Sequence, residues 1–235
     1  MYCSFLRGLQ LLGITSFANK FPTMLATINN IFLLAWTENS IYEYKSEDKA
    51  EYYSKSLQMF IVVVLLICSL MLPATKVYFE LFIDSQYSEA IGLVPIMFIA
   101  MIFNAVASFL GTIYTASMKT KDAFYTTVVA AISNIVLCFV LIPMFNIYGF
   151  ALANAISYIL FYIVRKNSVN KIVKLKENYK EYITPIMIFL LTMIAYYMLD
   201  FKANILYEIV LIIIICVCYY KLIKDILKNK LKKKN

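Results

Sequence analysis

The stretch NIVLCFVLIPMFNIYGFALANAISYIL (Asn134–Leu160) contains no charged side chain. Two apolar runs meet in it, separated by Pro143 and the segment Asn146–Gly149. A helix rises about 1.5 Å per residue, so about 20 apolar residues cross the hydrocarbon of a bilayer. Lipid offers the backbone no hydrogen-bond partner, which leaves helices or closed barrels as the only spanning structures. The runs are continuous and lack the two-residue alternation of a barrel strand. The stretch therefore predicts two membrane helices joined by a short hairpin. Pro143 ends the first and Asn146–Gly149 reverses the chain. Gly149, Ala153 and Ser157 recur every four residues and give the second helix a small face for close helix packing.

The rest of the chain extends this reading. Of 235 residues, 62% are hydrophobic and 15% charged, with a mean hydropathy of +0.75. Soluble domains carry about 45–50% apolar and about 25% charged residues, so composition alone predicts an all-α integral membrane protein. Seven apolar runs are long enough to cross a bilayer: about 11–36, 58–82, 91–117, 123–143, 147–165, 182–200 and 204–222. "MYCSFLRGLQ" at the start has no clear signal-peptide cleavage site.

Net charge is +8, and the basic residues alternate from one connection to the next. Lys45, Lys49 and Lys55 lie between the first two runs, and residues 83–90 have none. Lys119 and Lys121 follow, then no base near 144–146, then Lys166, Lys171, Lys174, Lys176 and Lys180. Lys202 alone marks the next turn, and seven lysines crowd the tail from Lys221 to Lys234. Positive charge marks cytoplasmic connections. The pattern predicts an exterior N-terminus and a cytoplasmic C-terminus, with the bases serving topology rather than nucleic acid. Such an N-terminus suggests that an odd number of helices precedes the segment. The connector "RKNSVNKIVKLKENYKE" (Arg165–Glu181) reads as an amphipathic surface helix drawn to anionic lipid, or as an orientation signal only.

Polar residues inside the runs are the candidates for function. Lys20, in "SFANKFPTMLATINNIFLLAW", lies about 10 Å along the first run if that helix starts near Gly13, and Pro22 behind it predicts a kink. An ammonium at that depth costs at least about 2.5 kcal/mol near the bilayer centre. It either snorkels to the interface or pairs structurally, or it serves a watery cavity. Asn29 and Asn30 lie deeper on the same run, and Asn104, Asn134 and Asn154 occupy later ones. Such amides bridge helices or contact a hydroxyl-rich substrate. Lys76 and Glu80, four apart, predict a local ion pair. Glu208 falls early in the last run, at the interface.

Enzymatic chemistry finds no support. Histidine is absent, and there is no phosphate-cradling glycine loop, no paired membrane carboxylates and no metal-ligand spacing. Cys216 and Cys218 are two apart, unlike a redox pair, and Cys68 and Cys138 also lie in apolar runs. Neither a cofactor nor a metal is expected.

Several segments together resemble the polysaccharide and oligosaccharide-lipid flippases (the O-antigen flippase-like proteins) of the multidrug/oligosaccharidyl-lipid/polysaccharide (MOP) transporter superfamily. In the opening stretch, Asn134, Ile142, Pro143, Ile147, Gly149, Ala151, Ala153, Ser157 and Tyr158 match the family's pattern in order. Asn146 stands where the family turn has its first glycine, and it too can take a left-handed backbone. "SFANKFPTMLATINNIFLLAW", "YSEAIGLVPIMFIAMIFNAVASFLG" and "MKTKDA" resemble family segments in the same order. Family members carry twelve to fourteen helices in two lobes, and these seven look like the last seven of fourteen.

The resemblance implies a C-lobe-like bundle of five helices over 1–165, a cytoplasmic connector over 166–181, two further helices over 182–222 and a cytoplasmic tail over 223–235. It implies transport of a lipid-linked oligosaccharide (a polyprenyl-diphosphate sugar) across the cytoplasmic, or inner, membrane for surface polysaccharide or lipopolysaccharide synthesis. The partners are then membrane lipids, that substrate, and a missing N-terminal half or a second chain. Lys20, Asn29, Asn30 and Asn104 are the substrate-binding candidates. The alternatives are a drug or cation antiporter of the same superfamily, a membrane polysaccharide polymerase and a non-functional remnant. The polymerase is disfavoured because the outer connections are short.

Overall fold

The computed structural model describes residues 13–82 and 88–220. The lysine-rich tail from Lys221, Cys3 and Arg7 lie outside the described residues. A helical turn over 13–18 is followed by seven helices: α1 (Lys20–Glu43), α2 (Lys49–Phe82), α3 (Ser88–Ala116), α4 (Thr120–Phe145), α5 (Ile147–Asn170), α6 (Lys180–Met198) and α7 (Phe201–Cys218). No strand occurs among the described residues. Six helices, α2 to α7, are long and apolar enough to cross a membrane. The seventh expected span is the exception. With 24 residues α1 has the length, but Asn29 and Asn30 interrupt its apolar character midway.

Asn19 alone interrupts the helical run between residues 13–18 and α1, in the right-handed helical region with φ −82° and ψ −8°. Pro22 falls in the first turn of α1, where a proline is tolerated. The Thr23 N–H and hydroxyl both bond the Asn19 carbonyl, at 2.9 and 2.6 Å. The hairpin of the opening stretch is tighter than expected. Pro143 does not end α4, which runs on to Phe145, and Asn146 alone joins α4 to α5 with φ 52°.

The centre of the bundle is α3, which buries 67% of its apolar stretch, while α4 buries none of its own. On one side α3 packs against α5, which carries α4 outermost. On the other it meets α1 and α2, and α2 in turn holds α6 and α7. The main core runs through Tyr53, Leu57, Cys68, Leu72, Phe98, Phe109 and Tyr114, with Phe189 and Tyr196 from α6. A smaller cluster, Val62, Leu66, Tyr182, Leu211 and Ile215, fastens α6 and α7 to α2.

Gly149 shows why α4 and α5 lie so close. A Cβ there would collide with the Leu141 carbonyl of α4. Further along the same face Ala153 and Ser157 are buried, and the Asn134 amide of α4 donates to Asn154 Oδ1 at 3.1 Å and to Ser157 Oγ at 2.9 Å.

Two expectations are corrected. Lys76 does not pair with Glu80. Its Nζ donates to the carbonyls of Tyr196 at 2.8 Å and Leu199 at 2.6 Å, at the C-terminal end of α6. Those carbonyls lack intrahelical partners and carry the negative end of the helix dipole, so they compete successfully for the ammonium. Glu208, read as interfacial, lies seven residues into α7, about 10 Å along the axis, and is half-buried. The connector is no separate helix either: α5 continues to Asn170, and Glu177 pairs with Lys166 at 2.8 Å before α6 begins at Lys180.

Candidate functional site

A polar cleft opens between α1, α3 and α5, and helical periodicity builds each wall. Asn19, Pro22, Thr23 and Ala26 come from the start of α1, and Met97, Ala100, Met101 and Asn104 from α3. Phe150, Asn154 and Tyr158 come from α5, each four residues from the next. The cleft encloses about 170 Å³. A recess of about 330 Å³ adjoins it, sharing Asn19 and Phe150 and adding Thr15, Ser16 and Asn146. The polar groups are amides and hydroxyls, with no charged residue in either lining. Amides and hydroxyls both donate and accept hydrogen bonds, as the hydroxyls of a sugar do.

The cleft wall is held from behind. Asn154 accepts from Asn134 with its Oδ1 and donates from Nδ2 to the Phe150 carbonyl at 3.1 Å. These bonds fix the amide's orientation against α4. The hydroxyls of Thr23 and Thr27 bond carbonyls one turn back on α1, at 2.6 and 3.0 Å. From the cleft an exposed polar line continues down α1 through Thr23, Thr27 and Asn30.

The sequence candidates divide among different places. Asn104 lines the cleft. Lys20 is exposed at the start of α1, beside Asn19 but outside both linings, with Nζ 4.8 Å from the centre of the Phe17 ring. Asn30 is exposed on the line below the cleft. Asn29 turns the other way and is buried against α2 and α3. Gly149, Ala153 and Ser157 lie in the α4–α5 seam, behind the cleft rather than in it. Asn19, Thr23 and Tyr158 were not among the candidates. Their only signal was polar spacing at i and i+4 (Asn19–Thr23 and Asn154–Tyr158), which many helix seams share.

Arg165 departs from its sequence reading. It reads as the edge of a basic connector, yet its guanidinium is buried. It donates to the Ala107 carbonyl of α3 at 2.9 Å and to Thr127 Oγ1 of α4 at 3.1 Å. Its carbon lies 4.2 Å from the centre of the Phe161 ring. This is a three-helix clasp at the end of α5 remote from the α4–α5 hairpin. Among the described residues no group of His, Cys, Asp and Glu side chains is arranged to hold a metal ion.

A family model described as Lipid II flippase MurJ matches residues 47–217, from just before α2 to the end of α7. No curated protein and no solved structure matches the chain. The α3 and α5 walls of the cleft lie within the matched segment, and the α1 wall lies before it. With six helices able to cross a membrane, the chain is a multi-pass protein of the cell inner membrane. It belongs to the Lipid II flippase MurJ family, flippases of lipid-linked precursors within the MOP superfamily.

Proposed function

We propose that the α1–α3–α5 cleft faces the path along which a polyprenyl-diphosphate-linked saccharide crosses the membrane. The observation that supports this most is the convergence of Asn19, Thr23, Asn104, Asn154 and Tyr158 within an apolar bundle, continued by exposed Thr27 and Asn30. A surface meant for lipid has no use for such a line, because lipid cannot satisfy its amides. Sugar hydroxyls and water can. Exposed Lys20, beside the mouth of the cleft, supplies positive charge for the diphosphate. No bond is made or broken. Two lobes rock about the path and expose it alternately to each side, the second lobe coming from a missing N-terminal half or another chain. The lysine-rich connections face the cytoplasm, which puts the N-terminus outside and the C-terminus inside.

Lipid II and the lipid-linked oligosaccharides of surface polysaccharides share the diphosphate and the sugar. Complementation in two backgrounds separates them. The chain, co-expressed with a second lobe, restores growth to cells depleted of their lipid II flippase, or restores surface glycan to cells lacking their polysaccharide flippase. In the background that responds, Asn104→Leu and Lys20→Ala each lower transport about tenfold or more at unchanged protein level, and Lys20→Arg is milder because the charge remains. Full transport by both Asn104→Leu and Lys20→Ala would overturn the placement of the path. A second reading, ion-coupled antiport of drugs or cations, draws on Glu208, the half-buried carboxyl within α7. In that case Glu208→Gln abolishes the response to an imposed proton or sodium gradient.

A further inference from the structure

Pro95 lies inside α3, about two turns from its start and directly before the part that walls the cleft. A proline has no N–H, so the carbonyl four residues back, that of Ile91, loses its helical donor. That carbonyl is not left bare. Tyr196 of α6 donates its phenol hydroxyl to it at 3.0 Å, from a side chain that is fully buried. The next residue, Tyr197, donates to the Gly92 carbonyl at 2.9 Å. The two bonds differ in kind. Gly92 has the Ile96 N–H one turn on, whereas Ile91 depends on α6 for its partner.

Tyr196 is itself fastened. Its backbone carbonyl and that of Leu199 accept from Lys76 Nζ of α2, which fixes the end of α6 beside α3. On one side of Pro95, Met97, Ala100, Met101 and Asn104 form the α3 wall of the cleft. On the other, residues 88–94 reach the end of the bundle where the α4–α5 hairpin lies, and Gly92 packs against the Tyr148 hydroxyl of α5. This outer segment is about 10 Å long. Proline kinks bend a helix by about 20° or more, and a change of about 20° moves the tip of such a lever by about 3–4 Å.

We infer that Pro95 is a hinge in the cleft-wall helix and that the Tyr196 hydroxyl is the catch that holds it. With the bond made, residues 88–94 stay packed against α5. With it broken, the Ile91 carbonyl has no donor and the bend at Pro95 is free to change. The segment then swings away from Tyr148 and widens the cleft at its hairpin end. In this way α6 controls access to a cleft that it does not line. The hinge and its catch are independent of what crosses the membrane, and their effect on transport rests on the cleft being the path.

Double electron–electron resonance on the full chain in detergent, with the native cysteines removed, reads the hinge. Spin labels on Glu89→Cys and Met144→Cys, both exposed positions, span the outer segment of α3 and the end of α4. The expected parent gives one narrow distance distribution. Tyr196→Phe keeps the ring and removes only the hydroxyl. It raises the share of a population displaced by about 3–4 Å, by about fivefold, as the loss of one hydrogen bond gives. Pro95→Ala returns an N–H to the Ile91 carbonyl, so adding it to Tyr196→Phe restores the narrow distribution. Tyr197→Phe, whose carbonyl partner has a helical donor, leaves the distribution narrow. No change in Tyr196→Phe, an equal change in Tyr197→Phe, or a broadening that Pro95→Ala does not reverse overturns the catch. Transport in the background that responds is the second readout. Pro95→Ala, stiffened at this point, lowers it about fivefold or more at unchanged protein level, and full transport by that variant overturns the control of access. Full transport by both Asn104→Leu and Lys20→Ala beside the expected distances displaces the path and leaves the hinge standing.

Discussion

Arg165 is a guanidinium 7% exposed in an apolar bundle, with hydroxyls, a carbonyl and aromatic rings around it. The guanidinium packs directly against Gly111 of α3. A Cβ on Gly111 would lie 2.9 Å from the Arg165 Nη1 that bonds Ala107. Gly111→Ala therefore pushes the guanidinium off the α3 carbonyl and leaves part of a buried charge unpaired. We expect it to lower stability by about 1–3 kcal/mol, read as a fall in the thermal midpoint in detergent. Gly13→Ala, where nothing lies within 4 Å, leaves the midpoint where it was. At this scale the sequence showed that an arginine stands there but not that it is buried. Burial comes from Gly111 and Thr127, each more than thirty residues distant, and no local pattern links them.

Elements are completed by residues that belong to other elements. The Lys76 ammonium of α2 closes the end of α6 by bonding the Tyr196 and Leu199 carbonyls. Lys76→Met leaves those carbonyls without the ammonium and removes a charge that complements the helix dipole, at about 1–3 kcal/mol. Glu80→Gln leaves stability unchanged. Equilibrium unfolding in mixed micelles distinguishes the two variants, and equal losses in both would restore the helix-surface ion pair. The spacing of Lys76 and Glu80 was correctly read as one helix face, since α2 runs through both. Which partner wins depends on where α6 ends in space. Further along α7, the Asn204 amide donates to the Pro73 carbonyl of α2 at 3.0 Å, another link between elements far apart in sequence.

Across the whole molecule, exposed surface takes two kinds. The outer face of α4 is apolar, with Phe139 79% exposed, whereas α1 exposes Thr27 and Asn30. Lipid covers the first kind, and water or a polar partner must cover the second. In a background stripped of native cysteines, Thr27→Cys and Asn30→Cys should react in membranes with a membrane-impermeant maleimide, once the reagent is supplied to both sides. Phe139→Cys should not. Equal silence at all three positions would remove the watery face from α1.

The sequence by itself determined the membrane class, the helical architecture and the approximate position of every helix. These follow from hydropathy, helix length and backbone hydrogen bonding, which act locally. It also located the tight α4–α5 hairpin, because Asn146 tolerates the positive φ of the turn and the small Gly149 marks where the two helices lie close. Only the tertiary structure decided which faces look at one another. It put Asn104 in the polar cleft, buried Asn29 against α2 and α3, left Lys20 at the surface, buried Arg165 and drew Lys76 to α6. Adjacent helix positions differ by about 100° in direction, so Asn29 and Asn30, neighbours in sequence, face different surroundings. Which surroundings those are is set by the packing of α1 against α2 and α3.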